Sequence, residues 1–172
     1  LAGFKLLWNP WRYEYIRKID SSTKCVFCEL PRHSDDDSLI IFRGKLSYVV
    51  MNAYPYNTGH LLIVPYRHVG DLSELTDEEY SEMCMLVRRS VKVLRKAFNP
   101  DGFNIGINIG RAAGAGVPGH IHFHVVPRWV GDANFIAIIG STKTLPMALQ
   151  EGYHILKSKW KENEIDVEAL DH

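Results

Sequence analysis

Gly119-His120-Ile121-His122-Phe123-His124-Val125-Val126-Pro127-Arg128 alternates three histidines with apolar residues. In a β-strand successive side chains point to opposite faces, so positions i, i+2 and i+4 share one face. A strand therefore sets His120, His122 and His124 in a row, about 6–7 Å apart, with Ile121, Phe123 and Val125 behind them. On a helix, residues two apart lie about 200° apart and the three rings scatter around the axis. Only the strand gives the spacing a meaning.

The elements before it follow by pattern. Phe103-Asn104-Ile105-Gly106-Ile107-Asn108 reads as a strand, joined to the histidine strand by a Gly/Ala-rich loop over residues 110–119. Thr76-Asp77-Glu78-Glu79 is a capping-box pattern opening a long helix. Met83, Val87, Val91, Leu94 and Phe98 follow at helical spacing, and Asn99-Pro100-Asp101-Gly102 ends it. Residues 39–42, 47–51 and 60–64 read as strands, with Gly44 at the first turn. A last helix is expected over residues 145–160, and a short one near Pro10 in the aromatic segment 7–16. Hairpin-like strands with inserted helices predict an α+β fold: a mainly antiparallel five-stranded sheet, one long helix and a C-terminal helix.

At 172 residues, with 20 basic and 20 acidic side chains, the chain reads as one domain without the charge bias of a nucleic-acid or anionic-membrane binder. The expected organisation is a single domain over 1–172: an extension at 1–24, a core at 25–128 and a C-terminal segment at 129–172. No apolar run approaches the roughly 20 residues of a membrane span, and the first residues lack the features of a secretory signal. Cys25, Cys28 and Cys84 are an odd number in a chain large enough to fold without disulfides. They favour a reducing, cytoplasmic setting.

A row of histidines either binds a metal or handles protons and phosphoryl groups. Cys25-x-x-Cys28 supplies two soft zinc ligands, and tetrahedral closure needs two more, with His33, His60, His68 and the triple all available. The alternative for the two cysteines is small buried apolar packing. Glycines 110, 114, 116 and 119 allow close backbone approach to a ligand, and successive N–H groups there can cradle phosphate oxygens. The loop lacks a Gly-Lys-Ser/Thr ending and is not a Walker loop.

The stretch 119–128 resembles the signature of the histidine-triad (HIT) nucleotide hydrolases and transferases. Asn52-x7-His60 with Leu61-Leu62-Ile63-Val64-Pro65 and His68 is similar to that family's ribose-binding segment. Phe103-Asn104-x3-Asn108 matches the strand before the triad, and Cys25-x-x-Cys28 the zinc half-site of many bacterial and archaeal members. The resemblance covers residues 25–128. The flanks, Leu7-Trp8-Asn9-Pro10-Trp11-Arg12 and residues 127–135, are similar to a subgroup related to diadenosine tetraphosphate phosphorylase.

The resemblance implies a homodimer acting on dinucleoside polyphosphates or purine nucleotide conjugates through a nucleotidyl-histidine. It makes His122 the nucleophile, His124 the donor to phosphate oxygens, and His60 a support for His122. Asn52 is implied at the ribose hydroxyls and Asn108 at the phosphate or leaving group. Cys25, Cys28, His68 and His120 are implied as the ligands of a structural zinc. Many family members carry Gly-Gln-Ser/Thr before the triad. Here Gly116-Val117-Pro118-Gly119 has no hydroxyl, so phosphate contacts are expected from backbone N–H groups such as those of Gly116 and Val117 or from outside this stretch.

Two other functions fit the same residues: a hydrolase with the triple around a catalytic metal, and a nucleotide-binding protein without turnover. Elsewhere, Trp8, Trp11 and Trp129 read as core or interface aromatics. Arg88, Arg89, Lys92, Arg95 and Lys96 read as the solvated face of the long helix, and Cys84 as buried packing.

Overall fold

The computed structural model describes residues 24–132, 145 and 147–168. The segment 7–16 with its helix near Pro10, Trp8 and Trp11, and residues 133–135 of the second flank lie outside the described residues.

One-turn helices α1 (Val26–Glu29) and α2 (Asp35–Ser38) lead into β1 (Ile40–Arg43) and β2 (Ser47–Met51). Glu82 clamps the turn between these strands, its carboxylate accepting the Lys45 and Leu46 N–H groups at 2.8 Å each. A Cβ on Gly44 would run into that carboxylate, so the turn needs glycine. β3 (Leu61–Pro65) follows, then α3 (Asp77–Phe98), β4 (Gly102–Ile107), β5 (Phe123–Arg128) and α4 (Leu149–Glu168). The five strands form one antiparallel sheet in the order β1-β2-β3-β5-β4.

Leu61 pairs with Val125 and Ile63 with Phe123, so these apolar residues share one face, and Leu62 pairs with His124 on the other. The apolar face packs under α3, which crosses β2, β3 and β5. Met83, Leu86, Val93 and Leu94 of α3 are buried, with Val87, Val91 and Phe98 only partly so. The buried stripe is thus rotated from the expected one, because α4 as well as the sheet packs against α3. That packing also corrects the reading of the basic face. Arg89 is half-buried, its guanidinium 4.8 Å from the Phe42 ring and 4.5 Å from the Trp160 ring. Cys84 is half-buried rather than sealed, as is Trp129. Against the expected 145–160, α4 begins at Leu149 and runs on to Glu168.

The capping box forms as its residues require. Thr76 accepts from the Glu79 N–H, and the Glu79 carboxylate accepts from the Thr76 N–H. Arg67 adds two hydrogen bonds to the same carboxylate at 2.9 and 2.7 Å, tying the loop after β3 to α3. The Arg67 guanidinium holds the Glu79 carboxyl below its ordinary 4.5, against the opposing effect of burial. A depressed carboxyl contributes stability above its unfolded pKa and loses it as pH falls through the folded value. Thermal melts of the protein should therefore show a loss of stability below pH 4.5 that is smaller in Glu79→Gln. Parallel acid profiles for the two proteins would refute this role.

Candidate active site

The ladder reaches the histidines later than the alternation implied. β5 starts at Phe123, so His124 is on the strand while His120 and His122 precede it. The reason lies in Pro65, whose carbonyl accepts from the His120 ring at 2.9 Å instead of from a strand partner. The Ile121 N–H meanwhile donates to Val69 at 2.7 Å, beyond the end of β3.

Backbone groups fix which nitrogen of each ring carries the proton. The Tyr56 N–H donates to His60 Nδ1 at 3.0 Å, so the His60 proton resides on Nε2. His60 Nε2 donates to His124 Nδ1 at 3.0 Å, which puts the His124 proton on its own Nε2. His122 runs the opposite way: its Nδ1–H donates to the His120 carbonyl at 2.9 Å, leaving the lone pair on Nε2. The His122 and His124 rings sit edge to face, 4.8 Å apart. A basic nitrogen and an N–H donor are therefore held side by side. Burial pushes the His122 imidazole below its ordinary value and keeps it neutral.

His120 faces another group. With its Nε2–H on Pro65, its Nδ1 lone pair lies 3.3 Å from Cys25 Sγ and 3.6 Å from Cys28 Sγ. His68 Nδ1 is 3.3 Å from Cys28 Sγ, and the four ligand atoms lie within 4.8 Å of one another. A tetrahedral zinc with bonds of about 2.0 Å to nitrogen and 2.3 Å to sulfur needs N···S edges of about 3.5 Å. The donor set and its spacing fit that ion. Burial and the neighbouring Cys25 push the Cys28 thiol up to about 11, and burial takes His120 down to about 4. Both shifts favour the uncharged forms, and a bound divalent cation reverses that preference for the thiol.

Beside the histidines a cavity of about 140 Å³ opens on the same face, lined by Phe27, Leu30, Val50, Asn52, Tyr54 and Leu62 among others. The Asn52 amide sits 3.2 Å from His60 Nδ1, and its carbonyl accepts the Tyr54 N–H at 2.9 Å. Asn108 immediately follows β4 and is half-buried. Gly116 is half-buried and Val117 buried, in a loop whose turn at Arg111–Ala113 is framed by Gly110 and Gly114 at φ of 75° and 85°.

Three features escaped the sequence reading. Phe27 touches the His120 and His122 rings, at 5.5 and 4.8 Å between centroids; its place between the two cysteines was the available signal. Tyr56 acts on His60 through its backbone and stacks 5.6 Å from His124, which no motif marks. Asn57 is buried and donates to the Pro127 carbonyl and to Asp132, while its own carbonyl accepts the His60 N–H. Asp132 is in turn gripped by Arg128 at 2.6 and 2.7 Å, so the loop carrying His60 is tied to the end of β5.

The fold is α+β, with a five-stranded antiparallel sheet that sets alternating histidines near a small cavity, and the class it belongs to follows from the sequence as well. The chain belongs to the HIT family: residues 33–130 match the HIT domain model. It is 43% identical over 162 residues to AP-4-A phosphorylase of Mycobacterium tuberculosis, covering 90% of this chain and 83% of that one. It is also 39% identical over 95 residues to the asymmetrical bis(5'-nucleosyl)-tetraphosphatase of Schizosaccharomyces pombe, covering 55% of this chain and 52% of that protein. Among solved structures, a Zn-bound histidine triad family protein from Mycobacterium smegmatis superposes with a TM-score of 0.68 at 26% identity, covering 83% of this chain and 97% of that one.

Proposed function

We propose that this chain cleaves dinucleoside polyphosphates through a nucleotide carried covalently on His122. The observation behind this reading is the pair of opposed tautomers, a lone pair on His122 Nε2 beside the N–H of His124. His122 Nε2 attacks the α-phosphorus, a P–N bond forms, and the P–O bond to the departing polyphosphate breaks with its electron pair. His124 donates to the phosphate oxygens as charge builds there. Water or inorganic phosphate then attacks the same phosphorus, and the electron pair returns to Nε2. Asn52 takes the ribose hydroxyls and the apolar cavity the base, while Asn108 and the N–H groups around Gly116 and Val117 meet the phosphates. Similarity to the mycobacterial phosphorylase favours phosphate as the acceptor.

Cys25, Cys28, His68 and His120 would hold a structural zinc, since four protein ligands leave no open position for substrate. Free thiols in such a site suit the cytoplasm. The chain acts as a homodimer, for which the sheet-edge strand β4 with its exposed Ile105 offers a pairing surface. The domain spans the whole chain, with 1–24 as an extension, 25–128 as the core and 129–172 completing it.

The test is a panel of diadenosine polyphosphates turned over with and without inorganic phosphate. With the tetraphosphate, phosphorolysis yields ADP and ATP, hydrolysis AMP and ATP. Mass spectrometry of a quenched reaction should find acid-labile AMP on His122. No product and no adduct across the panel would leave a binding protein instead.

A further inference from the structure

We propose that Phe27 is a positioning residue that transmits the state of the Cys25–Cys28 cluster to the His122 ring; this rests on reading His122 as the nucleophile. The sequence places Phe27 between the two cysteines, so a shift of the backbone turn that carries the thiols also carries its ring. α1 is a single turn of four residues, far too short to hold its shape alone. Three things hold it against the sheet. The Tyr48 hydroxyl donates to the Phe27 carbonyl at 2.7 Å. The Phe27 ring is buried in the core, and the two thiols meet His68 and His120.

His122 is correspondingly constrained. One hydrogen bond to the His120 carbonyl fixes its tautomer, but a single bond leaves the ring free to tilt about it. The tilt is limited by two ring neighbours, Phe27 at 4.8 Å and 50° and His124 at 4.8 Å and 61°. Phe27 also meets the His120 ring edge-on, so one side chain spans a member of the cluster and the nucleophile. A metal on the four ligands locks the turn and with it Phe27. Without the metal the turn keeps only the Tyr48 hydrogen bond, apolar contact and weak Sγ···Nδ1 contacts, and the cover over His122 loosens. A displacement of about 1 Å at a reacting group is enough to cost as much as 10²-fold in rate.

Reactivity of the substrate-free protein toward diethyl pyrocarbonate, mapped to His122 by peptide mass spectrometry, reads the cover directly. Zinc content is measured in every sample. In the zinc-loaded wild type, His122, whose Nε2 stays open to substrate, should react at a slow reference rate. Zinc-loaded Phe27→Ala, and wild type stripped by a chelator, should each be modified about tenfold faster, and stripping Phe27→Ala should add nothing. Phe27→Leu, which restores apolar cover, should return the loaded protein to the reference rate. The proposal is overturned if loaded Phe27→Ala stays at the reference rate, or if stripping accelerates Phe27→Ala as much as it does the wild type. Adduct formation from a diadenosine polyphosphate, run alongside in the wild type, judges the nucleophile separately. A protein that shows this pattern of rates but no adduct keeps Phe27 as the link and discards His122 as nucleophile.

Discussion

His122→Ala is expected to abolish turnover, with a fall of about 10⁴-fold or more, and to leave bound zinc at the wild-type level. The size follows from what is removed. Without Nε2 there is no covalent step, and roughly 5.5 kcal/mol of barrier separates a 10⁴-fold loss from wild type. The selectivity follows from geometry. His122 turns its Nδ1–H to the His120 carbonyl, while the cluster is made by Cys25, Cys28, His68 and the His120 ring. A catalytic metal held by the triple predicts the reverse, since removing one ligand empties the site. His124→Gln should cost less, about 10²–10³-fold, because it removes a donor to the developing charge and not the bond-forming atom. The readouts are the steady-state rate, metal content and the AMP adduct. Zinc loss in His122→Ala, or an adduct persisting in it, would sink the assignment.

Legibility in the sequence tracked how local each interaction is. The capping box at Thr76 and Glu79 involves four neighbouring residues and could be read outright, as could the end of α3 at Asn99, which adopts a left-handed conformation at φ 45°. The five strands were legible because each carries its own pattern, and Cys25-x-x-Cys28 because one turn of helix turns both thiols the same way. The division of labour among His120, His122 and His124 came only through the family resemblance and not from the spacing. Spacing alone makes the three equivalent, and what separates them is the backbone each ring meets: the Pro65 carbonyl, the His120 carbonyl, and the Tyr56 N–H acting through His60. Such partners leave no side-chain signature. Arg89 illustrates the same limit on the other face. Its helix pattern assigns it to solvent, and only α4, some 71 residues further on, brings Trp160 over it.

Stripping zinc from the protein should lower its melting temperature by about 10 °C, and Cys28→Ser should melt low whether or not zinc is supplied. The cluster joins three segments that are far apart in the chain: α1, the loop after β3, and the approach to β5. Its contacts span 40 residues from Cys28 to His68 and 95 from Cys25 to His120. Closing a loop of about 100 residues withdraws roughly 4–5 kcal/mol of chain entropy from the unfolded state. For a protein of this size 1 kcal/mol moves the midpoint by about 2–4 °C, which sets the expected shift. The loss stays partial because the core over Leu61, Ile63, Val125 and α3 owes nothing to the metal. What fails first is the short N-terminal turn, and amide exchange should quicken at residues 25–29 before it does in β3 or β5. Cys84→Ser supplies the control, since that thiol stands outside the cluster. If the stripped protein and Cys28→Ser melt within a degree or two of the loaded wild type, the four residues do not hold a structural ion.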